Sequence, residues 1–296
     1  MSFEPRITVG IPFHDEEAHL HAAIRSVLRQ TVTDIEVLLV DDGSRDRSLA
    51  IARSFDDPRV RIVSDGEHKQ LPARLNEVTR LARAPLVARM DADDVAHPER
   101  LAQEVELLER EDLDAVGTWI ALVDDEEQPI AVTETPPPAS RSAADAVQRG
   151  LLAHATMLAK RSWLDANPYD VAFPRAEDRE LWCRTFGKAR LGVVPEVLYV
   201  VRVSTEGSFL NDYAESQRQN RTLLRRHGPS TLGYARTAGA LLAVHAKTAV
   251  TSTAVHLGVS RRLLSRRGRA PTERELARIR EALRPGDYLL YRPTSS

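Results

Sequence analysis

Hydrophobic and polar positions follow two rhythms over the first hundred residues. Ile7–Pro12 is a short apolar run that predicts a buried strand. Glu16–Gln30 places Leu20, Ala23, Ile24, Val27 and Leu28 on one helical face. Glu36–Val40 reads as a second buried strand, and the polar DDGS segment after it reads as a loop. A helix over Arg45–Phe55, a strand over Arg59–Ser64 and a helix over Leu71–Arg83 follow. Pro85–Met90 is strand-like, and Pro98–Arg110 is helical with proline in its first turn.

This alternation predicts an α/β fold with a doubly wound, mostly parallel sheet. The pattern then changes. Ala115–Val123 and Pro129–Glu134 predict a hairpin around the acidic turn DDEE, and three prolines in Thr135–Pro138 mark a break. Ser140–Leu152 reads as a helix, Ala153–Ala159 as an apolar stretch running into Lys160–Trp163, Glu177–Phe186 as a helix and Leu191–Val203 as strand-rich. From about Phe209 the chain looks helical and basic. The internal repeats and low-complexity tracts that would mark a solenoid or a linker are absent.

Charge sharpens this division. The formal net charge of the 296 residues is -2. Residues 1–208 carry 25 Lys and Arg against 37 Asp and Glu, whereas residues 209–296 carry 16 against 6. Two parts facing different partners are expected. The single cysteine, Cys183, excludes an internal disulfide framework and makes a reducing compartment the default. The start of the chain shows no basic segment leading into an apolar one, so no signal peptide is expected. No run of about 18 apolar residues occurs; the nearest, Ala238–Val259, is interrupted by His245, Lys247, His256 and several threonines. A cytoplasmic protein is expected.

In a parallel α/β sheet, ligands bind outside the carboxyl ends of the strands. Three polar clusters fall there: Pro12-Phe13-His14-Asp15-Glu16, Asp41-Asp42-Gly43-Ser44 and Asp91-Ala92-Asp93-Asp94. Together they make a strongly acidic edge, and carboxylates so concentrated repel one another unless a positive charge sits among them. Hard oxygen ligands at Asp91 and Asp93 suit Mg²⁺ or Mn²⁺, which offset charge on a departing diphosphate. The plainer reading of Asp93 or Asp94 is that they favour the start of the helix at Pro98. The dinucleotide GxG fingerprint, the GxxxxGK phosphate loop and the GxSxG nucleophile elbow are all missing.

Taken in order, IPFHDEEAHLHAAIRSVLRQT, VLLVDDGSRDRS, ARLNEVTRLARAPLVARMDADD, HATMLAKRSW and AEDRELWCR resemble the successive blocks of family-2 glycosyltransferases with the GT-A fold. The resemblance covers roughly residues 5–208. It implies a GT-A-type domain over residues 1–208, with residues 209–296 as a basic helical C-terminal appendage.

The resemblance also implies roles. Pro12 and Phe13 would line the nucleotide pocket, and Asp42 would accept a hydrogen bond from the base, most readily the imide N–H of uracil. Turn chemistry before Gly43 is the alternative for the Asp41-Asp42 pair. Arg74 would lie near the phosphates or ribose, or else on a solvated helix face. Asp91 would touch the ribose or the metal, and Asp93 would be the principal ligand of Mn²⁺ or Mg²⁺. Glu177 and Asp178 resemble the acid pair near the acceptor. Asp178 would take the proton of the acceptor hydroxyl from the face opposite the leaving diphosphate, which inverts the anomeric carbon. Both residues could instead cap the helix that begins there. His154 would orient the acceptor or sit buried and satisfied. Trp182 would stack on a sugar or pack in the core.

The implied activity is transfer of one sugar from a nucleotide-sugar, most simply a UDP-sugar, to a hydroxyl acceptor in glycan or glycolipid synthesis. Two departures stand out. Relatives often carry a metal- or diphosphate-holding histidine near the end of the last strand, where Ser204 stands here. The QxxRW motif of processive synthases is missing too, so a distributive enzyme is expected. The rivals are a non-catalytic nucleotide-sugar-binding subunit and a nucleotidyltransferase, whose basic triphosphate loop is not found after the first strand. Arg218, Arg221, Arg225 and Arg226, with Arg261, Arg262, Arg266, Arg267 and Arg269, fit peripheral contact with an anionic membrane. They equally fit packing or homodimerisation against the acidic part, or a solvated helix. Nucleic acid is not an expected partner, because the region lacks aromatics and any known module.

Overall fold

The computed structural model describes residues 4–203, 209–256 and 268–284. Nine strands, β1 (Ile7–Phe13), β2 (Ile35–Asp41), β3 (Val60–Ser64), β4 (Leu86–Arg89), β5 (Val95–Ala96), β6 (Ala115–Val123), β7 (Pro129–Thr133), β8 (Leu158–Lys160) and β9 (Leu191–Arg202), form one mixed sheet among the described residues. Their order is β3-β2-β1-β4-β8-β6-β9-β5, with β7 paired to β6. The first half follows the sequence pattern closely. β1 (Ile7–Phe13) lies parallel to β2 (Ile35–Asp41) and β4 (Leu86–Arg89), and β2 lies parallel to β3 (Val60–Ser64). Every residue of β1 and β2 is buried, which is why these strands read as continuous apolar runs rather than as alternations. The connecting helices are α1 (Leu20–Leu28), α2 (Ser48–Arg53) and α3 (Leu71–Leu81). Leu20, Ala23, Ile24 and Val27 of α1 are buried against the sheet, and each full-sized side chain among them contributes about 1.5–3 kcal/mol.

Beyond β4 the sheet turns mixed. β5 (Val95–Ala96) precedes α4 (Arg100–Arg110), and β6 (Ala115–Val123) forms the expected antiparallel hairpin with β7 (Pro129–Thr133). α5 (Ala143–Gln148) starts at a capping box in which Ser142 and Asp145 satisfy each other's backbone N–H groups. β8 (Leu158–Lys160) is antiparallel to both β4 and β6, and leads into α6 (Arg161–Ala166). α7 (Glu177–Thr185) follows, then β9 (Leu191–Arg202), which is parallel to β6 and antiparallel to β5. The mostly parallel expectation therefore holds for β3-β2-β1-β4 and gives way to antiparallel pairing at β8 and β5. These two strands are only three and two residues long, too short for a period to register.

The C-terminal segments are braced against the sheet and α7. α8 (Phe209–Leu232) packs on α9 (Tyr234–His256), α5 and α7. Leu223, Leu224 and Val244 share an apolar cluster with Val147, Phe173 and Ala176. The last described helix, α10 (Glu273–Ala282), has its own capping box at Thr272 and Glu275, and buries Ile279 and Ala282 against β5, β6 and β9. Several basic residues here pair with acids of the first part: Arg226 with Asp170, Arg269 with Glu134, Arg274 with Glu196 and Arg278 with Glu99. Arg261, Arg262, Arg266, Arg267 and Ser204 lie outside the described residues. Among the described residues, no helix is long and apolar enough to cross a membrane.

Candidate active site

The carboxyl ends of β1, β2 and β4 open on a cleft of about 560 Å³. The three polar clusters meet there, as a parallel sheet requires. Pro12, Phe13, Asp42, Arg74, Asp91 and Asp93 all line it, together with His14, Glu16, His68, Gln70, Arg89, Pro174 and Arg175.

At one end, Asp41 and Asp42 have separate structural duties. Asp41 accepts the Ser44 N–H at 2.9 Å and the Ser64 hydroxyl at 2.7 Å. Asp42 accepts the backbone N–H groups of Lys69 (2.7 Å) and Gln70 (3.0 Å) and the Arg74 Nε–H (2.8 Å). The ring nitrogen of His68 sits 3.1 Å from its second oxygen. Gly43 turns the chain at φ 75°, and a Cβ there would lie 3.0 Å from the Glu67 backbone. The DDGS turn and the loop before α3 therefore close on each other. Asp42 anchors that loop, and little of its acceptor capacity is left for a base.

Arg74 departs further from expectation. It is fully buried, and all five of its N–H donors are engaged: one by Asp42, two by Asp65, one by Glu77 and one by the Glu67 carbonyl. It ties α3 to the loops after β2 and β3, and offers no free donor to phosphates. Gln70, beside it, has φ 70° and ψ 161°. This region is essentially restricted to glycine and costs a side-chain-bearing residue about 1–3 kcal/mol.

The floor is acidic. Glu16 is held in place by its N–H bond to Ser48 (2.7 Å) and faces Asp91 and Asp93. Burial, reinforced by Asp93, Asp46 and Asp91, pushes the Glu16 carboxyl up to about 7. Burial and Asp91 push Asp93 up to about 6. Asp94 is buried and raised well above the usual carboxylate range, first by burial and then by Asp93 and Asp91. The Tyr199 hydroxyl accepts the Asp91 N–H at 3.0 Å and bonds the Asp94 carboxylate. Arg202 clamps the same loop: its guanidinium donates to the Asp93 carbonyl and to Glu127, and its N–H donates to Asp94. Arg89 lies at the centre, 7% exposed, with one guanidinium nitrogen 2.6 Å from Asp91 and its charge acting on Glu177.

Glu177 and Asp178 open α7, and neither is among the residues that line the cleft, whose nearest contributions in sequence are Pro174 and Arg175. Glu177 is 6% exposed and lies 3.5 Å from the His154 ring, so it faces protein rather than an acceptor. His154 bonds the Tyr169 hydroxyl at 2.9 Å, and burial beside Arg89 lowers it to about 3, which keeps it neutral. It is thus a satisfied buried histidine. Tyr169 is fixed in turn by Asn76, whose amide brackets its backbone at 2.8 and 2.9 Å. Trp182 is fully buried and stacks on Trp163 at 6.3 Å, so it is core and not a sugar platform. Asp178 is only part-buried, beside Gly150, and acts electrostatically on His154 and Tyr169, as Asp91 does.

Three residues of the site carry no role in the sequence analysis. Glu16 falls in the first polar cluster but is hidden within a run of acids. Arg202 ends the last strand, two residues before Ser204, and holds the Asp93-Asp94 loop without lining the cleft. Arg89 carried the clearest signal, a lone arginine closing the apolar strand LVAR next to Asp91. Among the described residues, the one group of three with ligand-type atoms all within 4.8 Å of one another is His14, Asp42 and His68; Glu16, Asp91 and Asp93 share the cleft but do not form such a group. Mn²⁺ and Mg²⁺ favour oxygen ligands, so the carboxylate floor suits them better.

A pH dependence follows. Glu16 binds its proton more tightly in the fold than in the unfolded chain, where its value is about 4.5. Its contribution to stability is complete below that value and is lost as pH rises through about 7. The melting temperature of Glu16→Gln, relative to wild type, is therefore expected to increase between pH 5 and 7.5. Mn²⁺ at pH 7.5 should raise the wild type more than the variant. A difference between the two that is flat in pH, followed by scanning fluorimetry, would contradict the assignment.

The mixed sheet with its strand-end cleft is an α/β fold of the GT-A type. The glycosyl transferase family 2 model matches residues 8–167, and the chain belongs to this family of glycosyltransferases. The Bacillus subtilis (strain 168) protein EpsE, named as a glycosyltransferase, is 28% identical over 220 residues, covering 70% of this chain and 76% of that one. A structure of the mannosyltransferase PcManGT from Pyrobaculum calidifontis, in complex with GDP-Man and Mn²⁺, shares the fold with a TM-score of 0.60 at 18% identity. The match covers 96% of this chain and 87% of that one. S. aureus TarS 1-349 in complex with UDP superimposes with a TM-score of 0.56 at 18% identity, over 74% of this chain and 65% of that one.

Proposed function

We propose that this glycosyltransferase is inverting and cation-dependent, and that it moves a single sugar from a UDP-sugar to a hydroxyl acceptor. The observation that carries this reading is the acidic floor. Glu16, Asp91 and Asp93 converge on one cleft, and burial and mutual repulsion push the Glu16 and Asp93 carboxyls up to about 7 and about 6. A divalent cation would relieve that repulsion, and the oxygen donors fit Mn²⁺ or Mg²⁺. Complexes of fold neighbours with UDP, and with GDP-Man and Mn²⁺, are in keeping with it.

Asp91 and Asp93 would hold the cation, which neutralises charge on the departing diphosphate. Pro12 and Phe13 form an apolar wall for the base. Arg74 and Asp42 keep the loop before α3 closed against that wall. Asp178 removes the proton of the acceptor hydroxyl. Arg89 holds Asp91 and faces Glu177, and so fixes the donor floor relative to the head of α7. α8 steadies the acceptor side, where its Asn220 accepts from Arg179 at 2.8 Å.

The experiment is a panel of nucleotide-sugars with Mn²⁺, read as thermal shift and as slow release of nucleoside diphosphate without acceptor. UDP-sugars are expected to give the largest shift, and EDTA should abolish release. The Asp93→Asn variant should bind UDP at least about tenfold more weakly in Mn²⁺, the loss of one charge-assisted contact. Release that persists in EDTA would remove the cation from the reading. A preference for GDP-sugars would remove the uracil.

A further inference from the structure

The base end of the cleft contains one polar side chain with no duty in the fold. Gln70 stands in a backbone conformation that suits glycine. The loop is pinned there by the Lys69 and Gln70 N–H groups on Asp42, and those backbone bonds would hold a glycine equally well. What glutamine adds is its side chain. It is exposed, lines the cleft, and its amide is engaged by no described residue.

Most polar groups around it are already occupied, the Nε2 of His68 being an exception that offers a single site. Asp42 accepts three N–H bonds and faces His68, and all five donors of Arg74 are used. His14 and His68 each turn a ring nitrogen to the Asp42 carbonyl, at 2.9 and 3.1 Å. The Gln70 amide therefore supplies both an open acceptor and an open donor at this end.

We infer that Gln70 reads the edge of the nucleobase. Its amide oxygen accepts the ring N–H of an imide base such as uracil, and its NH₂ donates to the adjacent base carbonyl. The role is one of specificity, transferred from the Asp42 carboxylate to a neighbouring amide. It rests on the reading of the cleft as a nucleotide-sugar site.

Calorimetric titration of the full chain in Mn²⁺ tests it, with UDP and inorganic pyrophosphate as probes and wild type, Gln70→Ala and Gln70→Gly as proteins. UDP is expected to bind about tenfold more weakly to both variants, the effect of one or two lost neutral hydrogen bonds. Pyrophosphate should bind all three alike. The glycine variant should melt above the alanine variant, because it relieves the backbone. Unchanged UDP affinity in both variants would overturn the assignment. So would an equal loss for pyrophosphate, or a loss in Gln70→Ala that Gln70→Gly restores, since either marks a loop effect. A wild type that binds UDP no better than pyrophosphate would instead overturn the nucleotide reading itself.

Discussion

Asp178→Asn is expected to keep nucleotide binding and to lose sugar transfer by about 10²–10⁴-fold in kcat, the usual share of a positioned general base. The substitution is nearly isosteric and retains an acceptor oxygen, so packing beside Gly150 and Trp182 should survive. What disappears is the ability to take a proton. The neighbouring Glu177 is a poorer candidate on structural grounds. It is 6% exposed, sits against His154 and faces the buried Arg89, whereas Asp178 is part-buried at the open end of α7. Glu177→Gln should accordingly act through stability more than through kcat. The check is steady-state transfer beside UDP titration for both variants. Transfer by Asp178→Asn at the wild-type rate would remove it as the base, and a collapse confined to Glu177→Gln would exchange the two roles.

Replacing Arg89 by methionine should destabilise the protein by about 3 kcal/mol, the lower part of the range for breaking a buried ion pair, since Asp91 is partly exposed. The arginine is the positive charge between Asp91 and Glu177, shares Asp93 with Arg202, and occupies the floor of the cleft. Without it, Asp91 loses its 2.6 Å partner and Glu177 loses its compensating charge. Two further outcomes identify the mechanism. Mn²⁺ should recover part of the lost stability, because added positive charge substitutes for the missing one. The double variant Arg89→Met/Glu177→Gln should be more stable than the sum of the singles predicts, as expected for coupled neighbours. Urea unfolding of the four proteins measures this. A loss below about 1 kcal/mol, the usual size of a surface effect, would show that Arg89 is not the keystone of the floor.

Much of this was legible beforehand. The apolar runs of β1 and β2, the amphipathic face of α1 and the β6–β7 hairpin all register in the spacing of side chains, because each is governed by a local period. The acidic strand ends could be placed on one edge by topology alone. Short elements were lost: β5 and β8 are held by pairing with β9, β4 and β6, and nothing in their own two or three residues demands a strand. Roles were less secure than positions. His154, Trp182 and Glu177 lie near the expected place, yet burial removes Trp182 and Glu177 from an acceptor's reach.

The sequence by itself determined the order of the longer strands and helices, the acidic character of the cleft, and the division between an acidic first part and a basic last part. Tertiary structure decided which polar atoms remain available. Arg74 and Asp42 sit where expected, but their hydrogen bonds close within the protein, through partners up to 32 positions away. Arg89 is buried among acids, and Gln70 is held in a conformation that its own side chain disfavours. The charge division was likewise recast, since Arg226, Arg269, Arg274 and Arg278 pair with acids of the first part. Hydrophobic periodicity is a property of neighbours along the chain. Hydrogen-bond satisfaction and desolvation are properties of neighbours in space, and the chemistry of a site depends on the groups that remain unsatisfied.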